Sequence, residues 1–407
     1  MLLRLNPLLY VICGLTDFAA FILMFTVSRS LAEASVEPWY LGTAGAGLSL
    51  VAGIGSLIGG WLAHRFDGRG VFLAGALGIV LSLALCWTGD PSRLSFLPKY
   101  WLLGISSGLL YPPLMGWLNQ GTDVHANRRG VSRTLILFCV AWNLGVMCGQ
   151  LTAGALHPRG TDLVYGTGLV VALLNLALAV VAAIQVNRCR REHLPIPATP
   201  HPHSELASSF KRLSWLANLG SSFGNSLVIH LFPDLAVSLG IASASHGELL
   251  ASSRAVIIAT YLLLHALTFW HYRFSVAVAS QGMAAVGLVI IGTAHSPWVM
   301  LVGMTLLGQL VGYNYFSGLY YSTAGSPEKG RALAAGIHEA TLATGMAVGT
   351  IAGGVVGSLV NHRLPYLLAA VAMLVLLCIQ WVAWMRWVER PRRNAIASHA
   401  PQPASES

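Results

Sequence analysis

The sequence predicts an all-α membrane protein in which twelve transmembrane helices form two pseudo-symmetric six-helix bundles. Three observations carry that expectation. Of 407 residues, 55% are apolar and 10% charged, whereas soluble domains carry about 25% charge, so lipid has to cover a surface that charge cannot coat. Twelve apolar stretches are long enough to cross a bilayer, each needing about 20 residues for about 30 Å of hydrocarbon. A single long interior polar segment separates them six from six.

In chain order the expected spans are 7–28, 39–63, 71–88, 98–118, 134–156 and 163–186, then 213–233, 250–270, 274–293, 297–321, 333–358 and 364–386. The first is longer than a signal h-region and lacks a small-residue cleavage site, so it is expected to stay as a helix. Between the halves, "NRCRREHLPIPATPHPHSELASSFKR" replaces the apolar pattern with Pro, His, Ser and charge. His193, His201 and His203 there admit a metal reading beside that of a hydrated linker. The domain plan is therefore an N-terminal bundle over 1–187, a cytoplasmic linker over 188–212, a C-terminal bundle over 213–388 and a disordered cytoplasmic tail over 389–407.

The net charge of +9 comes from 24 Lys and Arg against 15 Asp and Glu. These bases lie in short segments between apolar runs, without a basic helix or an aromatic RNA motif, which excludes nucleic acid as the partner. Eighteen fall on one side of the expected membrane and six on the other. Bases are retained on the cytoplasmic face, so both termini are expected there, in the cell (inner) membrane. The six cysteines show no CxxC or paired spacing and read as packing residues. No metal and no cofactor is expected.

A shift of 200 residues lays Gly130, Gly145, Gly149 and Gly154 on Gly330, Gly345, Gly349 and Gly354. The matched segments are the fifth and eleventh spans, each entered from a basic loop, as two related bundles require. Glycines four apart, such as Gly55 with Gly59 and Gly145 with Gly149, let helix backbones approach closely in lipid. "GIGSLIGG" imitates a nucleotide loop but has no preceding strand and no phosphate-binding Lys. With no ATPase motif, the energy for any transport is expected from an ion gradient or the solute's own.

At "GGWLAHRFDGRG", Gly59 to Gly70, the chain resembles the glycine-rich Asp-Arg loop motif of the major facilitator superfamily of secondary transporters. Gly60, Leu62, Arg65, Gly68 and Arg69 match if Asp67 is an insertion, and His64 stands where the family has Asp. With twelve spans, a central loop and cytoplasmic termini, the resemblance covers nearly the whole chain. It implies the superfamily's fold, alternating access, a central cavity lined by spans one, four, seven and ten, and a cytoplasmic gate at Gly60, Arg65 and Arg69. A neutral His64 cannot serve as the gate's carboxylate, so Arg65 and Arg69 either meet carbonyls at a helix C-terminus or only hold the topology. Span five, "NLGVMCGQLTAG", is similar to the antiporter glycine motif with Gln150 in place of Pro, and a drug antiporter is not inferred.

The chemistry then has to reside in polar groups inside the spans, because charge near mid-bilayer is costly and faces the bundle interior. Asp17, near the midpoint of span one with Tyr10 on its face, reads as a proton carrier or a ligand for a cationic group; the alternative is a protonated Asp bonded to another helix. Glu339, about two turns inside span eleven beside His338, reads as a relay or as a structural ion-pair member. His265 reads as a packing histidine. Cavity-lining candidates are Tyr111 with Asn119 and Gln120 in span four, Asn218, Ser221, Ser222 and Asn225 in span seven, and Gln309, Tyr313, Ser317, Tyr320 and Tyr321 along span ten. Interhelical hydrogen bonding is the competing explanation for each.

Arg29, Arg254 and Arg331 fall toward expected span ends, leaving no cation near mid-membrane. A strong anion would lack its clamp. The expected function is secondary active transport of a small neutral, amphipathic or weakly cationic solute, coupled to protons, by a monomer in the lipid bilayer. The alternative is a non-transporting receptor or assembly partner on the same scaffold. No nucleophile and base pair is spaced for catalysis, so an enzyme is not expected.

Overall fold

The computed structural model describes residues 2–120, 133–190, 205–326 and 331–393. Gly130, Gly330, the middle of the expected linker and the tail beyond 393 lie outside the described residues, as do the side chains of Asn119, Gln120 and Arg331. The described residues form twelve long helices: α1 Leu2–Glu33, α2 Pro38–Arg65, α3 Gly68–Trp87, α4 Leu97–Gln120, α5 Arg133–Leu156, α6 Thr161–Arg190, α7 Glu205–His230, α8 Ser243–Ala266, α9 Phe274–Thr293, α10 Pro297–Ala324, α11 Arg331–Leu359 and α12 Leu364–Trp384. A short helix, Phe232–Ser238, follows α7, and no strand occurs among the described residues. The end of the molecule where α1 begins and α12 finishes is called here the termini end, and the opposite one the far end.

Ten of the twelve are long and apolar enough to cross a membrane on their own composition. The other two are α4, with Lys99, Pro112 and Pro113, and α7, with Asn218, Ser221, Ser222 and Asn225. Each is enclosed by neighbouring helices, so protein rather than lipid receives its polar groups. The expected boundaries change in three places. Helices α6 and α7 extend into the expected linker from both sides, to Arg190 and from Glu205. The tail is helical as far as Arg393, passing through a π turn at Met385–Glu389 and tied by Arg393 to Glu389 at 2.9 Å. Helix α8 starts at Ser243, about two turns before the expected span.

The repeat is visible in the packing. In the first half α1 packs on α5 and α6, α4 on α2 and α3, and α3 on α6; the second half repeats each pair with α7 on α11 and α12, α10 on α8 and α9, and α9 on α12. Glycines explain the closest of these crossings. A Cβ at Gly149 would lie 2.7 Å from the Phe18 carbonyl oxygen of α1, and one at Gly349 2.6 Å from the Phe223 carbonyl oxygen of α7. Gly145 meets the Gly14 carbonyl and Gly345 the Leu219 carbonyl in the same way. With no hydrophobic drive between helices in lipid, such backbone contact supplies the packing energy.

The third repeated glycine has a different partner. Gly154 packs on Ser243 and Gly247 of α8, and Gly354 on Pro38 and Gly42 of α2, so each reaches across to the opposite bundle. Both contacts lie toward the far end. They are joined there by a 2.8 Å hydrogen bond from the Trp39 amide to Ser358, by Phe25 stacked on His246 with centroids 4.6 Å apart, and by Arg29, which pairs with Glu33 and donates to the Ile241 carbonyl at 3.0 Å. His157 completes the group at 2.9 Å from Glu33. Also at the far end, Asp234 is held by His362; burial pushes its carboxyl above the usual range and the histidine opposes that shift. Halfway along α2 and α11, Gly53 still faces Ala343, at 3.3 Å for a built Cβ. The halves are thus sealed from mid-membrane to the far end.

Candidate substrate and coupling site

Asp17 stands halfway along α1 and is 5% exposed. Tyr111 of α4 donates its hydroxyl to the Asp17 carboxylate, and the Trp142 side chain of α5 is a second donor. Local sequence places both. Pro112 and Pro113 follow Tyr111 and have no amide N–H, so the carbonyls of Gly108 and Leu109 lose their helical donors. Those carbonyls lie against Gly59 of α2, whose missing side chain lets α4 approach. On α5 the close crossing of Gly145 over Gly14 brings Trp142 beside α1. Next to Asp17, Thr16 accepts from Asn175 of α6 at 2.8 Å, which fixes the rotation of α1.

From Trp142 the polar and aromatic contacts pass into the second bundle. Its ring lies 5.1 Å from that of Tyr315 on α10. The Tyr315 side chain lies beside Glu339 on α11, and its ring is 5.4 Å from His338. His338 is buried and its Nδ1 pairs with Asn218 of α7 at 2.9 Å. Glu339 is exposed, one turn toward the termini end from Ala343, where α2 and α11 part. One track therefore joins a buried carboxyl on the first half to an accessible carboxyl on the second.

Other expected site residues occupy different surroundings. Tyr10 is half-buried about two turns from Asp17, and Asn225 is half-buried on α7. Ser222 is buried at the α7–α11 crossing against Gly345. Gln309 bonds Ser280 of α9 through both ends of its amide, at 2.8 Å each, inside the second bundle. Tyr313 and Ser317 line a small cavity within that bundle together with Phe210, Phe274 and Gln380. Tyr320 stacks on His271 in the α8–α9 connection, with centroids 4.6 Å apart. The stripe on α10 is one helical face, but it turns inward to its own bundle; the face toward the other half presents Tyr315.

The residues of the expected gate are engaged locally. Asp67 caps α3 by accepting from the Arg69 amide at 3.1 Å and also pairs with the Arg69 side chain. The Arg65 guanidinium lies over Trp61 and Phe66, 5.3 Å and 5.7 Å from their ring centroids. Gly60 faces Pro112 of α4. These contacts shape the α2–α3 turn.

The largest correction concerns Arg254. The expected span placed it near an end, but with α8 running Ser243–Ala266 it is at the helix midpoint and 5% exposed. Its guanidinium sits 5.5 Å from the Phe21 ring, one turn from Asp17, and the two opposite charges interact across the bundle interface. A cation therefore does stand at mid-membrane, where an anionic group can meet it.

The sequence model of the Major Facilitator Superfamily matches residues 214–406. Solved structures extend the likeness over both halves. A POT family transporter in complex with 5-aminolevulinic acid superposes with a TM-score of 0.69 at 11% identity, covering 95% of this chain and 97% of that one. The human organic anion transporter MFSD10 (TETRAN) gives 0.65 at 14% identity, covering 93% and 99%. The nucleoside transporter NupG gives 0.64 at 13%, covering 93% and 100%. The C-terminal half thus carries the superfamily's sequence pattern, and both halves share the fold of these solved transporters. No curated protein matches it in sequence.

Within the superfamily fold, sequence reasoning missed Trp142, Tyr315 and Arg254. Aromatic residues inside apolar runs read as packing, and only the arrangement of α5 against α10 shows that these two meet. For Arg254 a signal existed. The polar run "SASHGELL" before it reads as a loop because it would face lipid badly, yet His246 and Gly247 are buried in the far-end seal and Glu248 is an exposed acid in the first turns of α8, which favours the helix dipole.

Proposed function

We propose that this chain is a member of the major facilitator superfamily and a proton-coupled secondary transporter that carries a small solute by alternating access, working as a monomer with both termini in the cytoplasm. Asp17 is the coupling residue, and Glu339 with His338 forms a second proton site at the cleft. One observation carries the reading: a mid-membrane carboxyl on one half is joined through Tyr111, Trp142 and Tyr315 to an accessible carboxyl on the other. A carboxyl in that position costs several kcal/mol, so a fold keeps it for an activity rather than for packing. Glu339 exchanges protons with the open cleft, and Asp17 holds one where the halves meet. Rocking of the bundles about this point alternates the face to which the pocket opens. The aromatic walls and Asn218 suit an amphipathic solute.

Tyr111→Phe tests the site with little change in volume. The ionised Asp17 loses a donor worth about 1.5–3 kcal/mol, so proton release becomes harder. Turnover above neutral pH falls at least about tenfold, while the amount of folded protein in the membrane stays the same. Unchanged pH dependence of flux in proteoliposomes would remove Asp17 from the coupling step.

A further inference from the structure

Among the described residues two arginines are buried, Arg29 and Arg254, and a third, Arg363, is half-buried at the start of α12; Arg29 and Arg363 are satisfied. Arg29 pairs with Glu33 and donates to the Ile241 carbonyl, and Arg363 donates to the carbonyls of Gly292 and Ala294 at 3.1 Å and 2.8 Å. Arg254, as deeply buried as Arg29, makes no hydrogen bond and no ion pair among the described residues; the face of Phe21 lies against its guanidinium, and Asp17 and Tyr261 are its titratable neighbours. Guanidinium is charged at every physiological pH and presents a planar fork of donors that matches a carboxylate. None of its nitrogens is among the buried atoms that lack a partner, so the fork faces accessible space, where an anion can reach it.

We propose that Arg254 is the docking cation for a carboxylate on the transported solute, and that Asp17 and the solute carboxylate alternate as its counter-charge. The chemical class of solute is thereby named: a small amphipathic carboxylate, its apolar part lying against Phe21, Trp142 and Tyr315. This corrects the neutral or cationic class expected from sequence. The coupling half of the proposal rests on the transporter reading; the docking half does not.

Geometry supplies the linkage. Asp17 faces Tyr111 from α4, Trp142 from α5, Arg254 from α8 and Cys13 on its own helix, while Arg254 faces Phe21, Asp17 and Tyr261. Arg254 is the single fixed cation among them. When Asp17 is ionised it balances Arg254 across the interface, and a second anion is repelled. When a proton from the cleft neutralises Asp17, Arg254 lacks a counter-charge and the solute carboxylate provides it. Proton and carboxylate therefore enter together, with no bond made or broken other than the O–H on Asp17.

The test uses the purified full-length protein and isosteric probes: 3-phenylpropionate against 3-phenylpropionamide, and hexanoate against hexanamide. Binding is followed by thermal stabilisation and tryptophan fluorescence between pH 6 and pH 8. Each acid is expected to bind at least about tenfold tighter than its amide, and to tighten by up to about tenfold per pH unit as the pH falls. Arg254→Gln abolishes the preference for the acid. Arg254→Lys, which keeps the charge and loses the fork, retains part of it and carries the test should the glutamine variant fail to fold. Asp17→Asn binds the acids tightly at every pH. Equal binding of acid and amide, no stabilisation by either acid at millimolar concentration, or a preference that survives in both Arg254 variants overturns the proposal. Carboxylate binding that depends on Arg254 without flux in proteoliposomes would uphold the docking site and defeat the transporter reading. Flux of neutral solutes indifferent to Arg254 would do the reverse.

Discussion

Asp17→Asn abolishes accumulation driven by a pH gradient while leaving exchange intact. With one proton coupled to each solute, a gradient of one pH unit sustains about tenfold accumulation in wild-type proteoliposomes; the variant stops at equal concentrations. Asn keeps the volume of Asp and can still accept from Tyr111 and Trp142, so α1 retains its contacts with α4 and α5. What it loses is the dissociable proton. Counterflow of labelled against unlabelled solute needs no net proton movement and persists in the variant. Glu339→Gln is the informative comparison: on the exposed side of the track it slows proton supply and lowers the rate, but the final accumulation is unchanged. Accumulation by Asp17→Asn equal to wild type would show that coupling resides elsewhere.

The far-end seal yields the second large effect. Alanine at Gly154 places a Cβ 2.7 Å from the Ser243 carbonyl oxygen and 3.0 Å from the Gly247 Cα; alanine at Gly354 places one 2.8 Å from the Pro38 carbonyl oxygen and 3.0 Å from the Gly42 Cα. All four are shorter than van der Waals contact and all involve backbone, which has no rotamer to yield. Overpacking of this kind costs about 1–3 kcal/mol at each site. The cost applies only to the arrangement closed at the far end, so the double variant shifts the resting population toward the one open there, by a hundredfold at about 3 kcal/mol. A cysteine introduced at Ser358 is then labelled at least about tenfold faster by an impermeant thiol reagent added on the far side. Gly145→Ala has a different result. Its Cβ collides with the Gly14 carbonyl inside one bundle, where no alternative arrangement relieves it, and folded protein is lost from the membrane. Labelling that is unchanged in the double variant would mean that these crossings do not form the seal.

The fold was legible because its determinants are local and repeated. Each apolar run specifies its own span, and the spacing of Gly145, Gly149 and Gly154 against Gly345, Gly349 and Gly354 records the pairing of α5 with α1 and of α11 with α7. The division of labour within that spacing was not legible, since two glycines of each set face their own bundle and the third faces the other. Asp17 stood out because a mid-span acid has few structural uses. Tyr315 and Trp142 did not, because an aromatic residue in a membrane helix looks the same whether it faces lipid, its own bundle or a cleft. Gln309 and Tyr313 share a helical face as the periodicity requires, but periodicity does not say which neighbour that face meets. Arg254 was misplaced by the composition of its own helix start, whose polar residues serve the seal.

The central claim is that the two halves open and close about Asp17, and a reversible cross-link at the far end tests it most directly. Trp39 and Ser358 approach within 2.8 Å between backbone nitrogen and side-chain oxygen. In a chain whose six native cysteines are replaced, Trp39→Cys and Ser358→Cys can be joined by mild oxidation. The account predicts that the disulfide stops flux in proteoliposomes and that reduction restores it, with 3-phenylpropionate as the labelled solute. Undiminished flux through fully cross-linked protein would contradict alternating access.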